Sequence, residues 1–167
     1  NWTTPFTGIP LAANAPAQTG AGSIVFSSTL RSDPSGDTSL AYRGNDLTLE
    51  TGTGNIQFIG QVGGAFGPAG RLGVVNIVDA HDVTATTGFS ANAIYQQAGD
   101  GDTRFNGFVQ TNGRRDVLTP AVATNFGVDI TTKMITLNAG MTTTSAPASG
   151  ASAAIRLNNS GTLSIVA

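Results

Sequence analysis

The chain has 167 residues, enough for one domain with a substantial core. It lacks cysteine, which excludes a disulfide framework and any thiolate metal site. Charged residues are only 11% and the net charge is -2, so no field draws nucleic acid or acidic lipid, and no 18-residue apolar run exists to span a membrane.

The chain opens at Asn1 without Met, as expected of a processed product or an excised segment. Residues 1–18 contain Pro5, Pro10 and Pro16 and the only Trp, Trp2. They are expected to form an extension or connector, with a single domain over 19–167.

The first patterned element is TGAGSIVFSSTL, Thr19 to Leu30. Its pattern returns as TGTGNIQFIGQV, Thr51 to Val62, and as AGDGDTRFNGFV, Ala98 to Val109. The shared line is Gly, any, Gly, a polar residue, Ile or Thr, any, Phe, any, Ser or Gly, any, Leu or Val. On an extended strand Ile56, Phe58, Gly60 and Val62 share one face, and Gln57, Ile59 and Gln61 share the other. The Phe face is expected inward, with Gly60 leaving room for the ring. The leading Gly-x-Gly is expected to turn with positive φ.

LTLETG (Leu47 to Gly52), IYQQAG (Ile94 to Gly99) and ITLNAG (Ile135 to Gly140) read as equivalent short strands entering the Gly turn. The Phe strands recur after about 32 and then about 47 residues, which predicts coils of roughly 16. Further strands are expected in LGVVNIV (Leu72 to Val78), DVTAT (Asp82 to Thr86), FSANAIY (Phe89 to Tyr95), NFGVDIT (Asn125 to Thr131), AAIRL (Ala153 to Leu157) and TLSIVA (Thr162 to Ala167). No window carries a helical stripe with caps.

These features predict an all-β fold: a single-stranded parallel β-helix, or β-solenoid, right-handed as is the default for parallel crossovers. Ordinary β-sandwich patterning is the competing reading. The recurrence of the turn glycines favours stacking, because stacked coils need the same turn chemistry each time. GTGNIQFIGQVGG, RLGVVNI and DVTATTGFSANAIYQQAGDGDTRFNGFV resemble the degenerate repeats of filamentous-haemagglutinin-like and autotransporter-adhesin-like surface proteins of bacteria. The resemblance covers roughly Gly20 to Gly140. It implies an extracellular β-helix with a structural or adhesive role, and no catalytic residue.

Candidate chemistry is sparse. DAHD holds Asp79, His81 and Asp82; on an extended chain Asp79 and His81 face one side, two ligands where catalytic zinc wants three. GDGD holds Asp100 and Asp102, a Ca²⁺-roll pattern missing from the other copies and read as an Asp-Gly turn. Lys133 lacks an acidic neighbour in sequence, and Arg114, Arg115 and Asp116 read as a solvated corner. Thr-x-Thr at Thr51/Thr53 and Thr84/Thr86 does not continue into a ladder. Asn1 and Asn158 begin glycosylation-type triplets, and Thr142 to Ser145 would suit O-glycans. No catalytic, cofactor-binding or metal residue is assigned, and no cofactor is expected.

The expectation is a non-enzymatic structural subunit of an extracellular filament, sheath or cell-surface layer. Its partners are copies of itself joined head to tail, with Trp2, Phe6 and Ile9 as part of the connector. The alternatives are a surface adhesin holding glycans, with Tyr42, Tyr95 or Trp2 as stacking residues, or a carbohydrate-active enzyme on the same fold.

Overall fold

The computed structural model describes residues 22–32, 44–64, 70–112, 126–144 and 154–166. Among these there is no helix, and so no helix long and apolar enough to cross a membrane. The strands are β1 (Ile24–Phe26), β2 (Leu47–Glu50), β3 (Ile56–Phe58), β4 (Leu72–Asp79), β5 (Val83–Ala85), β6 (Phe89–Gln96), β7 (Asp102–Phe105), β8 (Val109–Thr111), β9 (Phe126–Thr132), β10 (Met134–Leu137), β11 (Met141–Thr143), β12 (Ala154–Asn159) and β13 (Leu163–Ile165). Every sequence-predicted strand is present.

All pairings are parallel, and they build two sheets. The first is six-stranded, in the order β1-β3-β5-β7-β10-β13. The second runs β11-β8-β6-β4-β2, with β9 paired to β6 and to β12. No facing antiparallel sheets occur among the described residues, so the sandwich alternative does not hold. Within the second sheet two ladders are distinct. One joins Leu30, Val62, Phe89, Val109 and Met141. The other joins Leu47, Val75, Ile94, Val128 and Ile155. The chain therefore visits the first sheet, then these two ladders, and returns to the first sheet one strand further on.

Alternation determines which side chains enter the core. Ile56, Phe58 and Val62 are buried while Gln57 and Ile59 are exposed, as the pattern requires. Ile24, Ile56, Val83, Thr103, Ile135 and Leu163 occupy one inward column of the first sheet. Phe26, Phe58, Ala85, Phe105, Leu137 and Ile165 occupy the next. Ala85 interrupts the ring column, and Phe89 from the second sheet replaces the missing ring. It meets Phe58 edge-on at 5.4 Å and Phe105 at 5.8 Å, while Phe26 stacks flat on Phe58 at 5.1 Å.

Three sequence expectations need correction. Corresponding polar residues on successive passages are 32, 27 and 20 positions apart, not about 16. The shortest passage is the one in which β6 runs through both ladders without interruption. The Phe copies are thus one passage and then two apart, with DVTAT as the unrecognised passage between. ITLNAG is not the counterpart of LTLETG and IYQQAG: Ile135 pairs with Thr103 in the first sheet, whereas Leu47 and Ile94 belong to the second.

The glycine expectation is also half right. Gly52 has φ 58°, but Gly54 does not lie in the left-handed region. Gly54 is needed because a Cβ there would stand 2.5 Å from the Gly22 carbonyl oxygen on the passage beneath. Gly60 likewise faces the Ser28 backbone rather than a ring. The proposed connector, residues 1–18, lies outside the described residues, as do Trp2, Tyr42, Arg114, Arg115 and Asp116.

Candidate functional site

The residues richest in chemistry meet at the entrance to the first sheet. DAHD and GDGD are separate turns in sequence, but β5 and β7 are neighbouring strands, so the two turns stack. His81 Nδ1 lies 2.7 Å from Asp100 Oδ1. The partner of His81 is therefore Asp100, nineteen positions on, and not Asp79 as the extended-chain reading expected. His81 Nε2 is 4.0 Å from Asp82 Oδ1.

The hydrogen bond to Asp100, reinforced by the charge of Asp82, raises the His81 pKa above its ordinary value; Asp100 is correspondingly lowered, chiefly by the same hydrogen bond. Lys133, on the following passage, acts on both groups through its charge and lowers each. His81 favours folding in full below its ordinary pKa and loses that contribution as pH rises through the raised value. Asp100 contributes above the ordinary carboxylate range and loses its share as pH falls through its depressed value. Asp100→Asn is expected to bring the His81 pKa back down towards about 6.5. His81 is the sole histidine, so one ring resonance followed through an NMR pH titration checks this.

The other carboxylates have structural work. Asp82 Oδ1 accepts the Asp102 backbone N–H at 2.8 Å. Beneath it, Asn55 Oδ1 accepts the Asp82 N–H and Ser23 Oγ accepts the Asn55 N–H, each at 3.2 Å. Asp102 accepts from Arg104 Nη2 at 2.9 Å and from Thr136 Oγ1 at 3.1 Å. Ser23, Asn55 and Asp82 hold the polar fourth position ahead of their strands, each a short side-chain oxygen that caps the next passage's backbone; Asp102 holds the same place but accepts from side chains. That recurring position was the signal for this ladder in the sequence, and only its partner was unreadable.

Among the described residues no group of three His, Asp or Glu converges on a point that could hold a metal. His81 and Asp100 are both open to solvent, and among the described residues no nucleophile bonds to the imidazole. The remaining candidates do not join it. Thr51 is buried, with its hydroxyl donating to the Gly54 carbonyl at 2.9 Å, so Thr51/Thr53 presents no surface ladder. Tyr95 lies in the second sheet, paired in register with Asp129. Asn158 is exposed on β12.

Two buried polar arrangements escaped the sequence reading. Gln96 takes an aliphatic place between Ile77 and Ile130, and Thr103 takes another between Val83 and Ile135. The two satisfy each other, Thr103 Oγ1 donating to Gln96 Oε1 at 2.8 Å. Asp129 is buried but held bidentately by Arg156, whose Nε and Nη2 donate at 2.7 and 2.5 Å. The first joins the two sheets, and the second joins the paired strands β9 and β12. No family model, no curated protein and no solved structure matches the chain.

Proposed function

We propose that the parallel ladders wind as a right-handed β-solenoid, and that the protein is a structural subunit of an extracellular filament, sheath or surface layer whose copies join end to end. The observation that carries this reading is the apolar strand edge left open at β13 among the described residues. Leu163 and Ile165 sit in inward columns where Ile135 and Leu137 are buried, yet they are 42% and 65% exposed. Among the described residues no strand pairs with the outer edge of β13, nor with that of β1 at the opposite end. A free parallel edge with inward, outward, inward side chains accepts another parallel strand of the same pattern. Ile24, Val25 and Phe26 supply it from the opposite end, which makes the contact heterologous and propagating. The low charge adds support, since neutral polar flanks pack side by side without repulsion.

Gly22 provides a sharp test. It holds the column position of Gly54, but among the described residues a Cβ on it meets nothing within 4 Å. In an end-to-end stack it would face the neighbour's last passage as Gly54 faces Gly22. Gly22→Val is expected to leave thermal unfolding of the dispersed protein unchanged while abolishing fibres in negative-stain images. Wild-type protein that remains monodisperse in sedimentation at high micromolar concentration would defeat the proposal.

A further inference from the structure

The flank of the second sheet encloses a charge without a described counter-charge. Phe89, Val109 and Met141 form one ladder and pack in the core. Ser90, Gln110 and Thr142, the next residue on each strand, therefore share one outward column. Leu72 pairs with Ala91, so Arg71 stands level with Ser90 on the passage beneath. Arg71 is only 9% exposed. Its Nε donates to Ser90 Oγ at 3.2 Å, and among the described residues this is the only partner of the guanidinium. No described carboxylate pairs with it, and burial pushes its pKa below the usual arginine value. The guanidinium keeps its charge, so the fork of Nη1 and Nη2 is left unspent. Where this chain encloses a carboxylate for structure it pairs it, as Asp129 with Arg156.

Two neighbours complete the arrangement. Ser90 is buried, and its oxygen accepts from Arg71, which leaves its own O–H to donate. Gln110 Oε1 is buried and has no hydrogen-bond partner. It belongs to the strand directly above Ser90, at a spacing of about 4.8 Å. Both ends of the column open to solvent, with exposed Thr142 above Gln110 and exposed Arg31 on the passage below Arg71. A Cβ on Gly70, the residue before Arg71, would lie 3.7 Å from Arg31 Cβ.

We propose that Arg71, Ser90 and Gln110 form a binding site for the carboxylate of a hydroxy acid. The carboxylate takes the Arg71 fork through both oxygens and accepts the Ser90 O–H. The ligand hydroxyl beside it donates to Gln110 Oε1, the acceptor that the fold leaves unused. Sulfate fits less well, because a further acceptor oxygen would face the Gln110 carbonyl. Arg31 adds attraction, and no described carboxylate stands in the column to repel the ligand. The site lies on the flank of the stack, so it does not depend on how copies join. A free hydroxy acid and a sugar acid within a polysaccharide share this chemistry.

Calorimetric titration of the full chain, near neutral pH and at constant ionic strength, tests the proposal with sodium glucuronate, lactate, acetate and sulfate and with glucose. Glucuronate and lactate are expected to bind, acetate about tenfold more weakly for want of the hydroxyl, and glucose and sulfate not detectably. Tighter binding of glucuronate than of lactate assigns the site to sugar acids; equal or weaker binding assigns it to free hydroxy acids. Gln110→Leu should weaken glucuronate to the level of acetate and leave acetate unchanged. Arg71→Met should abolish binding yet melt no lower than wild type without ligand, since an apolar chain of similar length replaces an unpaired buried charge. The proposal is overturned if wild type binds none of the acids, if sulfate binds as tightly as glucuronate, or if Arg71→Met still binds. An Arg71→Met protein that melts well below wild type overturns it too, because the guanidinium would then be spent within the fold.

Discussion

Phe58→Ala is expected to lower the unfolding free energy by about 4 kcal/mol, the middle of the range for a buried aromatic removed from a core. Phe58 is wholly buried, flat against Phe26 and edge-on to Phe89. Its backbone is bonded to strands on both sides, β1 below and β5 above. The walls of the cavity therefore cannot close without breaking ladder hydrogen bonds, and most of the void persists. Phe26→Ala, at a half-buried site on the first passage, should cost distinctly less. Urea unfolding of the two variants and the wild type measures both, the slope showing whether the unfolding remains one transition. Equal losses would mean that the rings do not share one core.

Gly54→Ala is expected to cost about 3 kcal/mol, at the severe end of overpacking, although alanine is ordinarily the better residue outside the left-handed region. The added Cβ would lie 2.5 Å from the carbonyl oxygen and 2.8 Å from the carbonyl carbon of Gly22. Both are backbone atoms, so no rotamer change relieves the contact; the passages must separate. Gly22→Ala at the equivalent position should fall within about 0.5 kcal/mol of wild type, because no backbone of the described residues lies within 4 Å of the added Cβ. Parallel thermal melts of the two variants in dispersed protein decide the matter. Similar behaviour at the two sites would contradict stacking of the first passage under the second.

Much of the local structure was legible in the sequence. Strict alternation in TGTGNIQFIGQV gave the strand and its inward face. Short apolar runs bounded by Gly, Asn and Asp gave the remaining strands. The period was not legible, because ladder register is independent of how many residues separate one ladder from the next. DVTAT was the hardest passage to recognise as a copy, since Ala85 holds the Phe place and the ring arrives from Phe89 instead. The histidine site was lost for the same reason. Without the length of the third passage, nothing sets His81 beside Asp100. The recurring polar position was visible at Ser23, Asn55 and Asp102, but Asp82 stood in the unrecognised copy, and the backbone groups that Ser23, Asn55 and Asp82 cap are neighbours only across the stack. Gln96 and Thr103 each look like a lapse in an aliphatic column; only together do they form a satisfied pair.

The unequal intervals between successive passages have a practical consequence. Val62 and Leu72 keep register with Phe89 and Ala91, although β6 has one intervening residue where the earlier passage has nine. A change in length at that corner is expected to be tolerated, because neither flanking ladder records it. Foreign peptides spliced between Asn112 and Phe126 are expected to leave both ladders in register, and in the proposed polymer they would recur once per subunit. The same corner makes the molecule a candidate display scaffold for epitopes.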